Sequence, residues 1–174
     1  MKKILFTLCL IPLLMPALSA QALWDNFQDT RKVNYGFLNG VFIPYFENPD
    51  QSGVNTSRVA AEYIRNASEL YDVILIEAQM ADVSGFVSGA KQMSIDVWSP
   101  NVGTTIQITL ENNILAQPAN YPTGRHSEYL VTTTVANAWE TLNFTFSNRP
   151  DATVADNNVN QMVLLFAPNT NTGD

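Results

Sequence analysis

KQMSIDVWSPNVGTTIQITLEN, residues 91–112, alternates twice between apolar and polar side chains. In the first arm Met93, Ile95 and Val97 interleave with Ser94, Asp96 and Trp98. In the second, Ile106, Ile108 and Leu110 interleave with Thr105, Gln107 and Thr109. A period of two is the signature of a strand with one buried and one exposed face. Between the arms, Ser99-Pro100-Asn101-Val102-Gly103 is turn chemistry, because Pro fixes φ and Asn and Gly tolerate positive φ. The stretch therefore reads as a hairpin whose non-core face carries Asp96, Trp98, Gln107, Thr109 and Glu111. An aromatic among polar groups suits a sugar-binding surface, and it equally suits an ordinary solvated sheet face.

The same pattern continues outward in both directions. Residues 23–28 (LWDNFQ) read as a first strand, and residues 33–45 as a hairpin or bulged strand broken at Asn39-Gly40. Residues 57–64 alternate through Val59, Ala61 and Tyr63, and residues 70–78 (LYDVILIEA) form an apolar run expected to be buried on both faces. Downstream, residues 127–135, 139–146 and 161–167 read as strands. Trp139, Leu142, Phe144 and Phe146 are the expected core set of the second of these. Asn-Pro, Ser-Gly and Pro-rich loops separate the runs. About nine short strands with turns between them and no helix predict an all-β protein, an antiparallel β-sandwich of jelly-roll type.

The first residues belong to a different logic. Lys2 and Lys3 precede an apolar run, Ile4 to Leu14, that is shorter than a membrane span, and small residues follow at Ala17, Ala20 and Ala22. Residues 1–20 are expected to be a secretory signal peptide cleaved after Ala20 or Ala22, leaving residues 23–174 as the sandwich module. The single cysteine, Cys9, lies inside the leader, so the mature chain is expected to hold no disulfide and no thiolate metal site. Losing Lys2 and Lys3 takes the 9 basic residues to 7 against 16 acidic ones, a net charge of −9. That balance argues against nucleic acid and anionic membrane surfaces as partners and suits a soluble protein or one meeting neutral polymers; the leader predicts a secreted or cell-surface protein, and its short apolar run predicts no membrane insertion.

Five segments together carry a family likeness: GVNTSRVAAEYIRN, ELYDVILIEA, DVWSPNVGTTIQITLEN, TTTVANAWETLNFTFS and MVLLFAPN. They resemble a run found in secreted proteins of Bacteroidetes-type bacteria. There it forms a galactose-binding-like β-jelly-roll module, similar to carbohydrate-binding modules and attached to family 16 glycoside hydrolases or cell-surface proteins. The resemblance spans residues 23–174. It implies a polysaccharide or oligosaccharide partner and fusion to further domains. Such modules close with one more strand than is found before Thr172-Gly173-Asp174, which implies a fragment missing its last strand. The resemblance also implies a structural calcium near Asp25-Asn26-Phe27-Gln28-Asp29, with Gln28 and Asp29 as the candidate ligands and Gln28 standing where an acid is common.

Candidate chemistry is sparse. His126, the only histidine, sits in Gly124-Arg125-His126-Ser127-Glu128, and adjacency in sequence does not make a catalytic triad. It is expected to be an exposed loop-edge residue. The acid spacing of family 16 hydrolases is absent, so the chain is expected not to be an enzyme. The candidate ligand-binding residues are Trp98, Tyr63, Arg65, Tyr71, Asp72 and Gln107, with Tyr121 and Tyr129 near the loops. Sugars present C–H faces to aromatics and hydroxyls to such polar groups. Tyr71-Asp72 and Arg65 could instead form a structural ion pair. Two functions from different classes follow: a non-catalytic carbohydrate-binding-like module, or a structural or adhesive spacer without sugar affinity.

Overall fold

The computed structural model describes residues 22–171, and the expected leader (residues 1–20) and residues 172–174 lie outside that range. The described chain is all-β and antiparallel. In order it forms β1 (Asn34–Leu38), β2 (Val41–Glu47), β3 (Val59–Ile64), β4 (Val73–Met80), the single-turn helix α1 (Ser84–Val87), β5 (Ser94–Trp98), β6 (Thr105–Glu111), β7 (Arg125–Thr132), β8 (Trp139–Asn143), β9 (Thr145–Asn148) and β10 (Val159–Phe166). One layer is a six-stranded sheet in the order β1-β4-β10-β6-β7-β9, and the strand pairs β2–β3 and β5–β8 face it. Among the described residues no helix is long and apolar enough to cross a membrane.

The core lies between the layers. Ile74 and Ile76 of β4, Met162 of β10, Ile106, Ile108 and Leu110 of β6 and Tyr129 of β7 meet Leu142 of β8, with Ile95 and Val97 of β5 packed against them. Ile106 and Leu110 are fully buried, each stabilising the fold by about 1.5–3 kcal/mol relative to exposure. These are the alternate positions that the period-two reading places inward.

Their pairing departs from the hairpin expected for residues 91–112. β5 pairs with β8, and β6 pairs with β10 and β7. Ser99–Gly103 is thus an arch that carries the chain from one layer to the other. Both arms point their apolar residues into the same core from opposite sides, so their polar positions face opposite surfaces of the protein. Residues 33–45 behave in the same way: β1 pairs with β4 and β2 with β3, so Asn39-Gly40 does not close a hairpin. Residues 23–28 form only the isolated bridge Asp25 to Arg31. The run 139–146 splits at Phe144, whose buried ring marks the crossing from β8 to β9. Phe146, expected in the core, is 38% exposed.

Candidate functional site

The outer face of the six-stranded sheet is built from the residues that alternate with the core. Antiparallel partners share a face, so the register defines its rows. Glu77, Gln161, Glu111 and Arg125 form the first; Leu75, Val163, Thr109, Glu128 and Asn148 the second; Val73, Leu165, Gln107, Leu130 and Thr145 the third. Val163 and Leu165 are buried yet do not belong to the core cluster. They form an apolar floor on the side away from it.

Polar groups frame that floor. Gln161 Nε2 donates to Glu111 Oε1 at 2.5 Å, and Arg125 Nε stands 3.5 Å from Glu111 Oε2. Gln107 Nε2 donates to Thr109 Oγ1 at 3.1 Å. Burial pushes the Glu111 carboxyl above its usual range, against the pull of Gln161 and Arg125. Burial also raises Glu128, against the pull of Tyr121, Asn148 and Arg125. Arg125 ties the 113–124 loop to the sheet edge, donating through Nη1 to Asn120 Oδ1 and the Thr123 carbonyl and through Nη2 to the Gln117 carbonyl. The anchored loop brings Tyr121, 62% exposed, over Glu128. Tyr71, 57% exposed, stands just ahead of β4 and within electrostatic range of the Tyr121 phenol. Two exposed phenol rings, an apolar floor and a fringe of amide and carboxyl groups can together stack on and hydrogen-bond to a polyhydroxylated ring.

The six candidate residues fall in three places. Gln107 and Tyr71 belong to this face. Trp98 lies on the opposite surface of the protein, half-buried at the end of β5 and directly across from Trp139. Tyr63, Arg65 and Asp72 form a polar knot where β3 passes to β4. Asp72 is fully buried and accepts from the Tyr63 hydroxyl at 2.5 Å and the Asn66 N–H at 2.6 Å. Arg65, 4% exposed, donates to the carbonyls of Phe166, Glu69, Leu70 and Thr170. Burial, reinforced by the bond to Asp72, pushes the Tyr63 phenol well above its usual range. These side chains direct their polar atoms into the fold. Tyr129 is a core residue, 2% exposed.

Sequence reasoning missed the side chains that hold the face together. Alternation places Glu111 on the non-core face with Gln107 and Thr109, but its partners Gln161 and Arg125, like Glu128, gain meaning only from cross-strand register. Tyr121 carried a weak signal, an aromatic in a Pro-rich loop.

His126 departs from expectation. It is fully buried, its Nε2 lies 2.8 Å from Asp156 Oδ1 and its Nδ1 2.8 Å from Ser127 Oγ. A β-bulge explains this: Leu110 pairs with Ser127 while Glu111 pairs with Arg125, so His126 is the extra residue and turns inward. Serine, histidine and acid are joined in a line, but Ser127 is also fully buried, and an acyl substrate has no approach to it.

Gln28 and Asp29 fall on a turn that closes on itself. Asn26 Oδ1 accepts the N–H groups of Gln28, Asp29 and Thr30, and Asp29 Oδ1 accepts from Asn26 Nδ2 and Thr30 Oγ1. Calcium takes six to eight oxygens. Among the described residues no group of three or more His, Cys, Asp or Glu side chains gathers to hold a metal. The side-chain oxygens of Asn26 and Asp29 are thus already engaged in hydrogen bonds within the turn.

No protein-family model matches this sequence, and no curated protein matches it.

Proposed function

We propose that the chain is a secreted, non-catalytic carbohydrate-binding-like module of galactose-binding-like jelly-roll type, which targets an attached enzyme or the cell surface to a polysaccharide. The observation that carries this reading is the outer face of the six-stranded sheet, where Tyr71 and Tyr121 stand exposed beside Gln107 and Glu128. Exposed aromatic rings next to hydrogen-bonding groups are what sugar rings need. Tethering raises local substrate concentration without new chemistry.

The test is retention of the mature protein on a panel of immobilised polysaccharides, with competition by soluble oligosaccharides. Retention on one class, weakened about tenfold in the double variant Tyr71→Ala/Tyr121→Ala, is the expected result. Equal retention by that variant, or none by a folded sample on any polymer, overturns the reading. One observation favours the spacer or adhesive alternative: Val41, Ile43, Tyr45 and Ile64 leave an exposed apolar strip on β2–β3, a feature that often marks a protein contact.

A further inference from the structure

Charge is unevenly shared on the outer face of the six-stranded sheet. The rows named above carry three acids, Glu77, Glu111 and Glu128, against one cation, Arg125. That cation is already committed. Its Nη1 donates to Asn120 Oδ1 and the Thr123 carbonyl, its Nη2 to the Gln117 carbonyl, and its Nε faces Glu111 at 3.5 Å. A guanidinium grips a carboxylate or sulfate with two parallel N–H groups, and Arg125 has no such pair left. Glu111 answers Arg125, whereas Glu77 and Glu128 join no ion pair among the described residues. Glu77 is exposed, and Glu128 lies half-buried beneath Tyr121.

Between the acids stands a group suited to an uncharged partner. Gln161 of β10, 8% exposed, pairs with Glu77 on one side and Glu111 on the other. Its Nε2 donates to Glu111 Oε1, which orients the amide and leaves Oε1 as the other end. That oxygen accepts from no described residue, and it is not among the sealed, unpartnered polar atoms, so it stays open to the face. One row away, Thr109 Oγ1 accepts from Gln107 Nε2 and donates to no described residue. An amide oxygen and a hydroxyl proton beside the Val163 floor offer one acceptor and one donor, which complement the hydroxyls of a sugar ring. A carboxylate or sulfate brings no proton for the amide oxygen and meets Glu77 and Glu128 as like charges.

Building on the polysaccharide reading, we propose that this face selects uncharged sugars and rejects acidic ones. Gln161 Oε1 accepts a sugar hydroxyl, and Glu77 and Glu128 repel chains that carry uronate or sulfate groups. Repulsion of the wrong partner sets specificity without any further contact to the right one.

The experiment measures retention of the mature protein on galactan, mannan and mixed-linkage β-glucan, each native and after oxidation of its C6 hydroxyls to carboxylates. It is run at about pH 8, well above the carboxylate range, in about 10 mM salt. A native polymer should be retained, and its oxidised form about tenfold less. About 500 mM salt should close most of that gap, because the charges are then screened. Glu77→Gln/Glu128→Gln should close it at low salt. Glu62→Gln/Asp96→Asn, which removes two acids from the facing strand pairs, should leave it in place. Gln161→Met should weaken retention on the native polymer about threefold per folded molecule, with the folded fraction read from a urea titration. Equal or stronger retention on the oxidised form overturns the proposal. So does a gap that survives both high salt and the Glu77→Gln/Glu128→Gln variant, which would mark a lost C6 hydroxyl, or one that closes equally in Glu62→Gln/Asp96→Asn. Undiminished retention in Gln161→Met overturns the role of its oxygen. A folded sample retained on no polymer, native or oxidised, overturns the polysaccharide reading itself, and that result is distinct from all of these.

Discussion

The two outer surfaces of the sandwich both carry aromatics among polar groups, yet they are built in different ways. On the β5–β8 side, Trp98 sits across from Trp139. Trp139 Nε1 donates to Asn48 Oδ1 at 2.8 Å, tying β8 to the loop after β2, and Asp96 accepts from Thr141 at 2.6 Å. Both indoles are half-buried. On the six-stranded side the aromatics are tyrosines on connecting segments, more than half exposed, beside an apolar floor framed by polar residues. An aromatic within a strand pair packs against its neighbours, while one on an anchored loop keeps its ring faces available. Residue type alone does not separate these cases; the element that bears the ring does.

The largest effect should come from breaking the framework that both surfaces share. Arg65→Ala leaves several buried carbonyls without their donor and should cost about 3–5 kcal/mol, read as a shift in the urea midpoint at constant slope. Retention at either surface would then fall only in proportion to the unfolded fraction. Next comes His126→Ala, which empties a fully buried position and removes the imidazole partner of the buried Ser127 hydroxyl, and should cost about 2–3 kcal/mol in the same measurement. The same residue gives a pH signature. Burial holds the folded His126 pKa below its ordinary value of 6.5, so below that value the unfolded chain binds more protons than the folded one. Its contribution is complete above about pH 6.5 and falls as pH drops toward the folded pKa. His126→Ala should flatten that part of the stability profile.

Smaller effects test the comparison itself. Trp98→Ala should destabilise by about 2 kcal/mol and leave polysaccharide retention unchanged. Lost retention with unaltered stability would move the binding surface to the β5–β8 side. Tyr121→Ala should change stability by less than about 0.5 kcal/mol and weaken retention. A large drop in melting temperature would instead make Tyr121 a structural cover for Glu128.

Much of the fold was legible in the chain. Alternation at Ile95, Val97, Ile106, Ile108 and Leu110 placed the strands and their inward faces, because that signal is local. Pairing was not legible. A turn such as Ser99–Gly103 can close a hairpin or arch between layers, and the choice rests with β8 and β10, far away in sequence. This is why Trp98 and Gln107, expected on one face, lie on two. The inward turn of His126 depends on a bulge that leaves no composition signal. Tyr63, Arg65 and Asp72 stand among six candidate ligand-binding residues, with Tyr71-Asp72 and Arg65 as an alternative ion pair; the depth of Arg65 within the fold follows from contacts with Phe166 and Thr170, about a hundred residues downstream.

The place of β10 has a consequence for the order of events during synthesis. It lies between β4 and β6, pairing with both. A chain emerging from its N-terminus releases β1 and β4, then β6, β7 and β9, before the strand that joins these halves. Until residues 159–166 appear, each half offers an open edge to any neighbouring strand. The sheet can therefore close only after nearly the whole described chain has been made, and its halves are exposed to misassembly until then.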